Sequence, residues 1–116
     1  MNIEEFREYC LSLNGVTEDL PFGDDALVFK VCSKMFALCN LGNELQVNLK
    51  CDPEIAIQLR EKYPSVLPGY HMNKKHWNTI IIDGSINDLL IKQWIFDSYN
   101  LVVKNLSKIE KELLNV

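Results

Sequence analysis

Apolar and polar residues alternate along the chain with two different periods. Ile3, Phe6, Cys10 and Leu13 recur every three to four positions, which predicts a helix over about residues 3–13. Asn2 and Glu5 stand at capping-box spacing before it, and Gly15 stands where a C-terminal cap belongs. Glu4, Glu5 and Glu8 fall on its solvated side. Residues 16–25, with Leu20-Pro21-Phe22-Gly23-Asp24, read as a loop whose Phe22 plugs the core edge.

From residue 26 the period drops to two. Residues 26–50 read as a three-stranded antiparallel meander turning at Ser33-Lys34 and Gly42-Asn43. Pairing Cys32 with Met35, Val31 with Phe36, Phe29 with Leu38, Leu38 with Val47 and Phe36 with Leu49 gives one wholly apolar face: Leu27, Phe29, Val31, Phe36, Leu38, Leu45, Val47 and Leu49. The other face carries Val28, Lys30, Cys32, Met35, Ala37, Cys39, Glu44, Gln46, Asn48 and Lys50, the mixture expected where one side of a sheet stays open.

Asp52-Pro53-Glu54 predicts the start of a second helix, over about 53–62, that buries Ile55, Ala56 and Leu59 and stops at Tyr63-Pro64. The irregular stretch 64–76 contains a short strand around 69–72 and a turn at 73–75. It forms a hairpin with the β-branched strand Trp77 to Ile82. Ser85 with Asp88 caps a third helix carrying Ile86, Leu89, Leu90, Ile95, Leu101 and Val102 on its apolar stripe. That helix breaks near Asn105, and Ser107 with Glu110 opens a short terminal one. The order α-β-β-β-α-β-β-α predicts one two-layer α+β domain over 1–116, an antiparallel five-stranded sheet with helices on one face.

Composition fits such a domain: 116 residues, 47% hydrophobic and 24% charged. The net charge of −4 is uneven. Residues 1–25 hold seven acids and one base, whereas 26–82 hold seven bases and four acids. A local basic face is therefore compatible with an acidic whole. Cys10, Cys32, Cys39 and Cys51 lack CxxC spacing, no secretory signal pattern opens the chain, and no apolar run approaches membrane-spanning length. The expectation is a cytoplasmic protein with reduced, mostly buried thiols and no membrane partner.

Several blocks carry a resemblance. They are Pro21-Phe22-Gly23, Val28-Phe29-Lys30-Val31 with Lys34, Phe36-Ala37-Leu38, Leu49-Lys50, Pro53-Glu54, Pro68-Gly69-Tyr70-His71-Met72, Lys75-His76-Trp77-Asn78-Thr79 and Ser98-Tyr99. With these the chain resembles the MmcQ/YjbR family of small bacterial proteins over nearly its whole length. The resemblance implies a fold similar to type III secretion chaperones and a description as DNA-binding proteins with a double-wing surface. It carries no catalytic residue and no cofactor to any position of this chain.

The segment Tyr70 to Trp77 concentrates chemistry, with two histidines, two lysines and two aromatics in eight residues. As a basic, aromatic hairpin it suits phosphate contact by Lys74 and Lys75, with Tyr70, His71 and His76 bonding or stacking. Packing of Tyr70 and Trp77 into the core edge, beside solvated lysines, accounts for the same residues. Lys30, Lys34, Lys50, Arg60 and Lys62 extend the basic set. A His71–His76 metal pair lacks an obvious third ligand, and a Cys39–His71 pair lacks an activating motif.

Two functions follow from different classes. The first is a non-enzymatic DNA-binding module making weak electrostatic contacts through that hairpin. The second is a protein-interaction or chaperone-like adaptor using the open sheet face around Val28, Ala37 and Cys39, as a monomer or weak dimer. Nothing in the sequence pairs a nucleophile with a base, so an enzyme is the least supported class.

Overall fold

The computed structural model describes every residue except Phe22, Asn43, Tyr70, His71 and Val116. Local signals set the helix starts. Helix α1 (Ile3–Ser12) opens with the expected capping box: Asn2 Oδ1 accepts from Glu5 N at 2.9 Å and Glu5 Oε1 accepts from Asn2 N at 3.2 Å. Helix α2 (Pro53–Lys62) opens on Asp52, whose carboxylate accepts from the amides of Glu54 and Ile55, and ends at Tyr63. Helix α4 (Lys108–Leu113) opens on the Ser107–Glu110 box. Helix α3 (Asp88–Lys104) starts later than the spacing suggests. Asn87, not Ser85, is its cap, with Oδ1 accepting from Leu89 N at 2.8 Å. Ile86 is buried ahead of the helix, and Ser85 Oγ instead bonds Asp83 Oδ1 at 2.6 Å.

Among the described residues the sheet has six strands, not five, in the order β1-β2-β3-β4-β6-β5, all antiparallel. They are β1 (Val16–Asp19), β2 (Ala26–Val31), β3 (Lys34–Asn40), β4 (Gln46–Lys50), β5 (Val66–Pro68) and β6 (Trp77–Ile81). The extra strand, β1, lies within the expected loop. It is a polar edge strand, Val-Thr-Glu-Asp, with too little alternation to announce itself. Strand β5 forms earlier than the expected 69–72, and Gly69 extends its pairing by donating to Trp77 O at 2.9 Å. Only glycine fits there, because a Cβ would sit 2.9 Å from Trp77 Cβ and Trp77 O. The Pro21-Phe22-Gly23 lock falls partly on Phe22, outside the described residues.

The meander register differs from expectation by two residues beside the first turn and by one beyond it. The first turn is Cys32-Ser33, with φ of 48° and 65°, so Val31 pairs with Lys34. The register then slips: Lys30 faces Met35, but Phe29 faces Ala37 and Val28 faces Leu38. Phe36 is the extra residue of a β-bulge. Beyond it, Ala37 pairs with Leu49 and Cys39 with Val47. Ala37 and Cys39 therefore join Phe29, Val47 and Leu49 under the helices, while Leu38 turns to the opposite face beside Val28 and Asn48. This overturns the expected faces of β3. Phe36 still enters the core, edge-on to Tyr99 at 5.5 Å, because the bulge frees it from strict alternation.

The helices pack on one face, with α1 against β1, α3 across β2 to β4, and α2 over β5 and β6. The opposite face also buries Val28, Leu38, Asn48 and Thr79, and the Thr79 hydroxyl donates to Asn48 Oδ1 at 2.6 Å. Val28, Ala37 and Cys39 are all fully buried, so the exposed adaptor patch expected around them does not exist.

Candidate functional site

Two structural features meet where β4 ends and β6 begins: a cluster of basic residues and an apolar cleft. Lys50 closes β4 and pairs with Trp77 in the ladder. The next residue, Cys51, donates its amide to His76 O at 2.7 Å. Asn73 shapes the preceding turn. Its Oδ1 accepts from Lys75 N at 2.9 Å and its backbone oxygen accepts from Trp77 N at 2.9 Å, which sets Lys74 and Lys75 at an exposed tip.

Arg60 of α2 reaches across to this turn. Its Nε donates to Asn78 Oδ1 at 2.6 Å, and its Nη2 donates to Lys74 O and, at 3.4 Å, to Trp77 O. Asn78 in turn donates from Nδ2 to Ala56 O at 3.3 Å. Arg60 is thus a clamp between helix and hairpin, its guanidinium spent on structure rather than held out to a ligand.

The predicted basic residues do not all converge. Lys50, Arg60, Lys74, Lys75 and His76 share this edge of the sheet. Lys30 lies 3.8 Å from Asp19, and Lys34 lies 3.0 Å from Glu110 on α4. Lys62 sits over the Tyr63 ring at 5.4 Å. Trp77 is buried, so its indole packs and offers no stacking surface. Tyr70 and His71 lie outside the described residues, as do the His71–His76 and Cys39–His71 pairs that depend on them. Burial pushes the Cys39 thiol up to about 12, so it stays protonated near neutral pH. Burial and the neighbouring Asp52 push Cys51 up to about 11. Among the described residues no three His, Cys, Asp or Glu side chains come together in a way that could hold a metal.

The cleft lies between α2 and α3 and has a volume of about 290 Å³. Leu49, Val66 and Ile80 line it from the sheet, Ile55 and Leu59 from α2, and Trp94 and Leu101 from α3. Lys50, Cys51, Asp52, Asp97, Asn100 and Lys104 add polar groups. A second hollow, of about 250 Å³, continues from it past Lys50, Cys51 and Asp52 to His76 and Asn105. Of the α3 contribution, Leu101 lies on the expected apolar stripe, whereas Trp94, Asp97 and Lys104 escaped sequence reading because, although they share its helical spacing, they mix charges with one aromatic and so look solvated.

Comparison with known proteins places this geometry in a family. The YjbR family model matches residues 11–101. The chain belongs to the YjbR family. It is 40% identical over 109 residues to the uncharacterised protein YbdF of Escherichia coli O157:H7, covering 90% of this chain and 87% of that one. It is 34% identical over 115 residues to the uncharacterised protein YjbR of Escherichia coli K12, covering 98% of each. The crystal structure of Deinococcus radiodurans protein DR2400, a DUF419 domain, superposes with a TM-score of 0.92 at 39% identity, covering 99% of this chain and 88% of that one. A Pseudomonas syringae crystal structure superposes with a TM-score of 0.77 at 30% identity, covering 87% of this chain and 98% of that one. The family and α+β fold implied by the sequence resemblance are thereby established. Among the described residues no helix is long and apolar enough to cross a membrane.

Proposed function

We propose that the protein is a non-enzymatic nucleic-acid-contacting module whose interface is the edge formed by Lys50, Lys74, Lys75 and His76. The observation that carries this reading is the convergence of these residues from β4 and from the turn before β6, held together by Arg60 and Asn73. Lysines at a turn tip suit phosphate oxygens, which fix register without reading sequence. Lys30 and Lys34 fall outside the interface because they lie elsewhere on the molecule, Lys30 beside Asp19 of β1 and Lys34 beside Glu110 of α4. Cys39 and Cys51, pushed up to about 12 and about 11, hold little thiolate near neutral pH and so offer no thiolate nucleophile beside this edge.

The test is fluorescence anisotropy with a labelled duplex and a labelled single strand at low and physiological salt. Three lysine contacts on duplex predict a slope of log affinity against log salt of roughly −3. Lys74→Glu with Lys75→Glu should remove most of that slope. Both residues are exposed, so the fold should be retained. Binding that ignores salt, or that survives the double substitution unchanged, sinks the reading.

A further inference from the structure

The nucleic-acid edge leaves the α2–α3 cleft unused. At about 290 Å³ it lies at the small end of ligand pockets, which run from roughly 300 to 1,000 Å³. It is elongated. Trp94 and Lys104, both lining it, are ten residues apart on α3, a span of about 15 Å at the α-helical rise. The Trp94 end borders an edge-to-face contact with Tyr63, ring centroids 5.4 Å apart. The Lys104 end borders the second hollow.

The polar groups are asymmetric in what they still need. Asp52 already accepts from the amides of Glu54 and Ile55, at 3.0 and 3.4 Å. Asp97 accepts from Gln93 Nε2 at 2.8 Å. Asn78 is spent on Arg60 and Ala56. Lys104 lines the same cleft from α3, and its ammonium has no ion pair or acceptor among the described residues, whereas the Lys50 side chain follows Asn48 to the opposite sheet face. The cation left to meet a ligand is therefore Lys104, at the end away from Trp94, while the carboxylates of Asp52 and Asp97 are turned to the α2 amides and to Gln93.

We propose that this cleft binds a small amphipathic carboxylate, a medium-length alkyl or arylalkyl acid. The apolar body lies along Leu49, Leu59, Ile80 and Leu101 toward Trp94, and the carboxylate meets Lys104 at the other end. Burial of the hydrocarbon supplies most of the affinity, at about 0.8 kcal/mol per CH₂. The lysine contact sets which end goes in.

The probe is decanoate, kept below its micelle concentration and compared with decanol and decylammonium. Binding is followed by calorimetry and by the two indole N–H resonances. The Trp94 resonance should shift saturably and that of buried Trp77 should not. Lys104→Glu should weaken decanoate about fivefold and leave decanol unchanged, the size expected for a partly exposed ion pair. Ile55→Trp, at a half-exposed cleft position, should weaken both ligands by filling the space. Lys74→Glu with Lys75→Glu should leave decanoate binding intact, so this proposal and the nucleic-acid reading fail separately. An unmoved Trp94 resonance, decylammonium binding as tightly as decanoate, or Lys104→Glu without effect would overturn it. So would exclusive binding of an amphipathic helical peptide, which would make the cleft a protein groove.

Discussion

Helices α3 and α2 lie on the same sheet face but dock very differently. Helix α3 buries Ile91, Ile95, Ser98, Tyr99 and Val102, whereas α2 buries only Ala56. Two isoleucines of α2, Ile55 and Ile57, remain 49% and 52% exposed. Helix α3 is also tied by polar contacts. Ser98 Oγ donates to Phe36 O at 2.5 Å and accepts from Lys50 N at 2.8 Å, bridging β3 and β4 just past the end of their ladder at Ala37–Leu49. Tyr99 OH donates to Asn14 O at 2.6 Å, tying α3 to the residue beyond α1. Helix α2 is held chiefly at its flank, through Arg60 and Asn78. One helix completes the core and the other leaves a cleft. The difference arises because α3 meets the sheet with complementary shape and hydrogen bonds, while α2 rests over the narrow β5–β6 edge.

The largest expected effect tests this contrast directly. Ile95→Ala should cost about 2–5 kcal/mol in chemical denaturation, and Ile57→Ala should stay within about 0.5 kcal/mol. Native-state hydrogen exchange should likewise open α2 before α3. Equal costs for the two isoleucines would dissolve the comparison.

Next in size is Ser98→Ala, which removes a hydroxyl without removing bulk. It strands the Phe36 carbonyl and the Lys50 amide, so a loss of about 1–3 kcal/mol is expected, less a few tenths regained from helix propensity. An unchanged denaturation midpoint would mean that the two strands need no bridge there.

The smallest effect concerns acid. The Arg7 hydrogen bond holds the Glu18 carboxyl below the usual carboxylate range, Ser85 does so for Asp83, and the Ser107 amide together with Lys34 does so for Glu110. Lowered values mean that this stability is present above the ordinary carboxylate pKa and is lost as pH falls through the lowered one. Melting temperature should therefore fall modestly below about pH 4.5. Lys34→Met should flatten part of that fall. The α2–α3 contrast should persist through the titration, since none of the three carboxyls lines the cleft.

Much of this molecule could be read before any coordinates. Caps at Asn2, Asp52 and Ser107, the stop at Tyr63 and the break at Asn105 are local, each decided by a side chain within a few residues of the backbone group it satisfies. Alternation correctly assigned the faces of β2 and β4. Roles were less legible: Trp77 packs, one of the two readings its block allowed, Arg60 clamps the hairpin instead of facing a ligand, and Ser98, which carried no assigned role, bridges β3 and β4.

Tertiary structure decided the rest. A single bulged residue leaves composition and periodicity almost unchanged but exchanges the two faces of β3, placing Ala37 and Cys39 inside and Leu38 opposite. The convergence of Lys50 with His76, and the separation of Lys30 and Lys34 from them, depend on strand order, which no local signal encodes. The cleft depends on how far apart two helices stand. Short-range hydrogen bonds and periodicity fix the elements, whereas the space between elements is set by the fit of side chains distant in sequence.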